Sequence, residues 1–443
     1  MIGCFMSVAK KDLLYVVIGW ILTIFSVVML YRQGVTRSFF HQDDVVELAV
    51  VADWQGWSTL GHMNNEHLNV TFWPLLRAQW LLFGISYPPY MLVNVLLHVI
   101  VLGLTFLITY RLTKSFVWAS APVWGMVINS SWFTVVWWIT GQMFFLATIF
   151  ALLSFWFSLK IIEKPKSKIF VPLLYVFSIL PGLSWGIGLT WPIWPFLVFG
   201  FDYLKKRVNR IGYTLIAAQV TLSFIYFSLV GSNLSVHTDP KTWFVNPPAI
   251  IYFVMMGLSK TLVGRWLWPG ENLRAGVVFA VIALAIMLIY RYGRKLIDKN
   301  ILFGTMVAVG GFLTLAIPRW QFGIEHALAN YYAYFPLPFL LIAVAVFLSK
   351  VKLTGLKKIL VLSVFLIHIP LSWMGFESWA KDWVVRPQQT RAYFLELDAT
   401  LPGHCLNDRF IPEFIVPQNI WRIGFLWPIF KKDFNPFCNE PYK

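Results

Sequence analysis

Long apolar runs, each closed by a short loop and many of those loops basic, constrain this chain more than any other feature. A helix that crosses the hydrocarbon core of a bilayer needs about 20 mainly apolar residues. Such runs occur at Leu13–Leu30, Tyr90–Tyr110, Val117–Val136, Met143–Leu159, Ile169–Trp185, Ile187–Phe201, Ile211–Val230, Ala275–Tyr290, Ile301–Ile317, Ala333–Leu348 and Ile359–Met374. By length they give about eleven spans, the second member of the pair around Trp185 being short. Ala249–Leu262 is apolar over too short a stretch and reads as an interfacial or re-entrant segment. Only 13% of the residues are charged, against roughly 25% in a soluble domain. The expected fold is therefore all-α and integral to a membrane.

The loops assign the sides. Lys10 and Lys11 lead straight into the first run, and no small-residue cleavage site ends it, so it reads as a retained span. Arg111/Lys114, the Lys160–Lys168 stretch, Lys205/Lys206/Arg207/Arg210, Arg291/Arg294/Lys295/Lys299 and Lys350/Lys352/Lys357/Lys358 all fall on that same side if the spans alternate and Ala249–Leu262 does not cross. Positive loops face the cytoplasm, so the N-terminus is expected inside and everything after Met374 outside. The net charge of +16 is then a topology signal and not a nucleic-acid footprint. Residues 1–375 form one polytopic module, with a large first outer loop at 31–89, and 376–443 form a small extracytoplasmic tail. Cys405 and Cys438 both lie in that tail, where a disulfide would persist.

The acids have been moved out of the spans, which hold only an occasional histidine such as His98 and His368. They gather in the first outer loop, with Asp43, Asp44, Glu47, Asp53 and Glu66 beside His41, His62 and His67. From Asp44 onward Val46, Ala49, Val50 and Trp57 recur at roughly helical spacing, with Glu47 and Asp53 elsewhere. Asp43 or Asp44 is placed to cap that helix. A second amphipathic stretch follows Pro74, and both helices are expected to lie flat at the membrane interface. One carboxylate suffices for a cap, and two adjacent acids repel, which raises one toward the range of a general base. Asp43 and Asp44 are thus the candidate catalytic residues. His62, Asn65, Glu66 and His67 offer hydrogen bonds suited to a sugar, and their composition admits a divalent cation although their spacing specifies no metal site.

Taken in order, these residues resemble a known family. Phe40-His41-Gln42-Asp43-Asp44, then Asn65-Glu66-His67, then Leu82-Phe83-Gly84, Pro88-Pro89-Tyr90 and Val93-Asn94-Val95-Leu96-Leu97-His98 are similar to the GT-C superfamily of polytopic membrane glycosyltransferases. Trp138-Ile139-Thr140-Gly141-Gln142 through Leu146-Ala147-Thr148 extends the likeness. It covers roughly the first 160 residues by motif and the rest by topology. The small size and small tail resemble the O-antigen-modifying glucosyltransferases, and more distantly the protein O-mannosyltransferases.

The resemblance implies an inverting hexosyltransferase of the bacterial inner membrane. It would move a sugar from a polyprenyl-phosphate donor, such as undecaprenyl phosphate, to an extracytoplasmic cell-envelope glycan such as O-antigen in lipopolysaccharide. An acid of the first outer loop, Asp43 or Asp44, would deprotonate the acceptor hydroxyl. Arg319, in Pro318-Arg319-Trp320-Gln321, is the candidate ligand for the donor phosphate, because a guanidinium binds phosphate oxygens in a bidentate way. Arg265 is a weaker candidate. Relatives carry an Arg-Tyr pair before a late span where this chain reads Asn330-Tyr331-Tyr332, which makes Tyr331 a candidate substrate contact. Asn94 and His98, four apart on one helix face, read as helix-packing residues. A lipid-linked glycan flippase or other transporter is the alternative of a different class, but it needs a polar central pathway that these apolar spans do not provide. A protein O-mannosyltransferase would share the site and differ in its acceptor.

Overall fold

The computed structural model describes residues 10–41, 43–64, 67–129, 132–200, 209–229, 244–263, 298–322, 327, 329–351 and 382–400. They form an all-α membrane protein, with one short antiparallel hairpin pairing β1 (Met63–Asn64) with β2 (His67–Leu68). In chain order the α-helices are α1 Lys10–Arg37, α2 Asp43–Ala52, α3 Trp57–Leu60, α4 Phe72–Phe83, α5 Tyr87–Thr113, α6 Phe116–Ile128, α7 Trp132–Trp137, α8 Gln142–Glu163, α9 Phe170–Ile179, α10 Ile193–Pro195, α11 Asn209–Leu229, α12 Pro247–Val263, α13 Lys299–Arg319, α14 Asn330–Tyr334, α15 Pro336–Lys350 and α16 Asp382–Thr400. Five stretches among the described residues are long and apolar enough to cross a membrane: Val17–Arg37, Tyr87–Thr113, Gln142–Glu163, Arg210–Leu229 and Lys299–Phe322. They coincide with five of the expected spans.

Other expected spans are broken, and prolines and glycines explain most of the breaks. The run Val117–Val136 is divided between α6 and α7. Asn129 ends α6, and its Nδ2 donates to the carbonyl of Thr261 at 2.9 Å. The run after Trp185 winds as a 3₁₀ turn at Gly186–Thr190, then α10, then a π-turn at Phe196–Gly200. Pro192 and Pro195 cannot donate to a regular ladder, so the chain changes helix type instead of continuing. Ala249–Leu262 lies within α12, whose 17 residues pack against α13 and α14. The runs Ala275–Tyr290 and Ile359–Met374, and both Cys405 and Cys438, lie outside the described residues.

The core forms around α5, α8, α13 and α15. Helices α13 and α15 approach so closely that a side-chain carbon at Gly304 would lie 2.3 Å from the Phe339 carbonyl oxygen, which restricts the position to glycine. At the end of the core nearest α2, a buried amide network fixes the α7–α8 turn. Asn94 Nδ2 donates to the carbonyls of Val136 and Trp138, each at 2.8 Å, while its Oδ1 accepts from Gln142 Nε2 at 2.8 Å. Gln142 and Gln79 exchange amide hydrogen bonds at 2.7 and 2.9 Å, which ties α4 to α8. Tyr87 donates to the Trp137 carbonyl at 2.7 Å. The turn is tight: a side chain at Gly141 would meet the Val135 carbonyl oxygen at 2.0 Å. His98, on the same face as Asn94, bonds the Tyr334 hydroxyl through Nδ1 at 2.8 Å, so both residues join helices as expected.

Buried polar groups left without partners cost about 1–3 kcal/mol each. Asn94→Leu strands two carbonyls and a glutamine amide, so it should lower stability by about 3 kcal/mol or more. Thermal unfolding in detergent checks this, and an unchanged midpoint contradicts the role assigned to the network.

Candidate functional site

The site is organised by α2, whose ends are both held from outside its own ladder. At its start, Asp44 N–H donates to the His41 carbonyl at 3.1 Å, and Asp44 Oδ2 accepts from His41 N–H at 3.0 Å. Asp44 thus closes the turn that leads into α2 with both its own N–H and its carboxylate. At the far end, Arg77 of α4 donates to the carbonyls of Val51 at 2.5 Å and Ala52 at 3.3 Å, where a cation also favours the helix dipole.

Helix α2 is largely buried: Val45, Leu48, Ala49 and Val51 and both Asp44 and Glu47 are buried, whereas Val46 and Val50 are only partly so. It ends at Ala52, and Trp57, which begins α3, is 88% exposed. In α4 the buried face is Phe72, Trp73, Leu76 and Gln79, while Leu81 and Leu82 are exposed.

Asp44 and Asp43 therefore have different environments. Asp44 is fully buried, and its Oδ1 accepts from Thr140 N–H at 2.8 Å and Thr140 O–H at 2.9 Å. Burial pushes its carboxyl up to about 7, against the hydrogen bonds from Thr140 and His41, which favour the ionised form. Glu47, one turn further on, lies 2.6 Å from the same Thr140 hydroxyl through Oε2. Asp43 is partly exposed. Its charge and that of Arg319 both act on Tyr331, whose hydroxyl burial lifts well above its ordinary range.

Tyr331 sits on an aromatic surface that runs across the site. Its ring is 5.5 Å from Trp138, 5.5 Å from Phe144 and 4.4 Å from Tyr332. Trp185 packs on Phe144 at 4.2 Å and stacks near Tyr332 at 6.2 Å. At one end of this surface Arg319, at the close of α13, hydrogen-bonds the Tyr332 hydroxyl and lies 3.2 Å from His67 Nε2 through Nη2. At the other end Trp383 of α16 contacts Trp138 at 5.9 Å and the His41 ring at 4.9 Å. Helix α16 is anchored beside this point, Gln388 Nε2 donating to the Arg37 carbonyl at 2.9 Å and Phe394 meeting Phe39 at 5.7 Å. Burial, helped by the charge of Arg386, pushes His41 down to about 3, so its imidazole stays neutral.

The candidates thus separate. His67, Arg319 and Tyr331 come together around Tyr332, and Asp43 reaches Tyr331 only through its charge. Asp44 supports the group from beneath. His62 packs on Trp73, at 5.6 Å between rings, and its carbonyl accepts from Trp73 Nε1 at 2.9 Å. Asn65, Glu66 and Arg265 lie outside the described residues. Among the described residues, no group of three or more His, Cys, Asp or Glu side chains is placed to hold a metal ion. Sequence reasoning missed Glu47, Thr140 and Tyr332. Thr140 stood inside the Trp138–Gln142 motif. Glu47 was one helical turn from Asp44, a spacing that puts both on one face.

The difference between the aspartates is measurable. Asp44→Ala leaves backbone donors and Thr140 unpaired in a buried setting and should cost about 3 kcal/mol or more. Asp43→Ala should stay within about 1 kcal/mol of the parent in the same thermal unfolding assay, and equal losses in both variants contradict the distinction. No protein-family model matches this chain, and no characterised protein matches it in sequence.

Proposed function

We propose that the chain is a membrane glycosyltransferase that moves a sugar from a polyprenyl-phosphate donor to a cell-envelope glycan on the extracytoplasmic face of a bacterial inner membrane. One observation carries this reading: the guanidinium of Arg319, at the close of α13, is held by the Tyr332 hydroxyl and His67 of the first loop, the loop that also presents the partly exposed carboxylate of Asp43. Tyr331 is the partly exposed member of an aromatic cluster with the buried Trp138, Phe144 and Trp185, and its ring offers apolar area to the C–H face of a sugar.

The chemistry follows from the two charges. Asp43 takes the proton of the acceptor hydroxyl as its oxygen bonds to the anomeric carbon of the donor sugar. The bond from that carbon to the phosphate oxygen breaks, and its electron pair leaves on the lipid phosphate. Arg319 stabilises the charge that gathers there, with His67 and the Tyr332 hydroxyl beside it. Attack on the face opposite the phosphate inverts the anomeric centre. The buried Asp44 does not touch substrate in this scheme.

Transfer of labelled sugar from a polyprenyl-phosphate donor in proteoliposomes tests the assignment. Asp43→Asn should lower kcat by about 10²–10⁴-fold, as expected for loss of a general base. Arg319→Lys keeps the charge but loses the forked donor, so kcat/KM should fall about tenfold or more. Full activity in Asp43→Asn removes the base from the scheme. Movement of the intact lipid-linked glycan across the bilayer without a new glycosidic bond would instead identify a flippase, and labelled protein in place of labelled glycan an O-mannosyltransferase.

A further inference from the structure

Helices α5 and α8 end against one another, and their last turns gather more positive charge than the fold neutralises. Arg111 lies in the last turn of α5 and Lys114 follows it in a left-handed turn, while Lys160, Glu163 and Lys164 close α8. Arg111 engages both oxygens of Glu163, through Nε at 2.7 Å and Nη2 at 2.6 Å, and its side chain is 7% exposed. Glu163 is the one acid in segments 110–118 and 156–170. With that carboxylate taken, Lys114, Lys160 and Lys164 pair with no carboxylate among the described residues. Four cations against one anion leave a net charge of +3. Two helix C-termini offset only about one unit of it between them.

One indole holds this group together. The Arg111 guanidinium carbon lies 4.6 Å, and the Lys160 ammonium 4.9 Å, from the centre of the Trp156 ring. Each cation gains from the aromatic face, yet the two repel each other. Lys160 also feels the charges of Lys164 and Lys114, against that of Glu163 alone. The cluster sits where the apolar stretches Tyr87–Thr113 and Gln142–Glu163 both end, the level at which hydrocarbon gives way to headgroups. Leu96, Ile100 and Leu107, exposed at 53%, 46% and 46%, form a stripe on α5 that leads to Arg111 on the same helix face.

We propose that Lys114, Lys160 and Lys164, set around the Arg111–Glu163 pair, bind the phosphate of an anionic phospholipid whose acyl chain lies along the exposed face of α5. The phosphate oxygens accept from the lysine ammonium groups, and its charge answers the excess that Glu163 leaves. A soluble phosphate would meet the same lysines but would have no use for the apolar stripe beside them. Arg111 and Trp156 hold Lys160 in place, and Lys114 and Lys164 are exposed and reach the headgroup from either helix end. Nearer their other ends the same two helices carry Asn94 and Gln142, which bond each other at 2.8 Å. A bound lipid therefore braces the helix pair that frames the α7–α8 turn.

The proposal does not depend on the sugar-transfer reading. It is tested by the thermal midpoint of the full chain in neutral detergent, titrated with dioctanoyl phosphatidylglycerol, dioctanoyl phosphatidylcholine or inorganic phosphate. Phosphatidylglycerol should raise the midpoint, and about tenfold more phosphatidylcholine should be needed to match it. Lys160→Gln and Lys164→Gln should each raise the apparent Kd for phosphatidylglycerol about fivefold, and the double variant about thirtyfold. Without lipid the double variant should unfold within about 2 °C of the parent, since neither lysine has a carboxylate to lose. Protection by inorganic phosphate equal to that by phosphatidylglycerol, and lost in the double variant, overturns the lipid as the occupant. A response to phosphatidylglycerol no stronger than to phosphatidylcholine, or one that the double variant keeps in full, overturns the site itself.

Discussion

The α7–α8 turn is the constraint on which the rest of this structure depends. Residues 138–141 leave the helical ladder in the middle of an apolar assembly, so backbone groups in and beside them need partners that the chain must supply from elsewhere. Asn94 takes the Val136 and Trp138 carbonyls from the α5 side, and Asp44 takes the Thr140 N–H from the α2 side. Each partner is then committed in its own right. Asn94 fixes Gln142 and through it Gln79 of α4, while Asp44 closes the start of α2. A short irregular turn thereby connects two long helices, the interposed α2 and the aromatic surface into one unit.

That connection explains why two neighbouring aspartates differ so much in environment. On a helix, consecutive side chains point about 100° apart. Once Asp44 is drawn inward to Thr140, Asp43 points elsewhere and remains partly exposed. The buried residue spends its hydrogen-bonding capacity on backbone N–H groups and the Thr140 hydroxyl. A similar constraint operates at Arg319, which sits at the end of a long apolar helix with His67 and Tyr332 orienting its guanidinium. The proposed sugar chemistry needs this pairing of a fixed carboxylate with a fixed cation, because neither group can be mobile and still meet the two ends of a breaking and forming bond.

Much of this was legible in the residue pattern, though unevenly. The helices from Lys10, Tyr87, Gln142, Asn209 and Lys299 follow from unbroken apolar length. The runs Val117–Val136 and Ile187–Phe201 were not legible as broken, because hydropathy does not register that Asn129 ends one helix and that Pro192 and Pro195 decide where the other ladder stops. The concentration of acids at 43–66 was plain. The helical spacing of Val46, Ala49 and Val50 did not show which face of α2 is buried: Ala49 is buried and the two valines partly so, while Asp44 and Glu47 go inside to meet Thr140. Helical periodicity reports which residues share a face, but it cannot say which face wins when a buried hydrogen bond competes with valine. Tyr332 as the partner of Arg319 was likewise invisible, since only the folded chain brings α13 and α14 together.

The proposed function requires the Asp43–Arg319 surface to lie on the side of the membrane opposite the basic loops. Trp57, 88% exposed beside α2, and Lys166, exposed in the α8–α9 loop, report the two sides. Single cysteines at these positions, in a background with the native cysteines replaced, can be probed in intact cells with a membrane-impermeant maleimide. The account predicts that Trp57→Cys is labelled at once and Lys166→Cys only after the membrane is permeabilised. Labelling of Lys166→Cys in intact cells with Trp57→Cys protected would place the acidic site on the cytoplasmic side and contradict it.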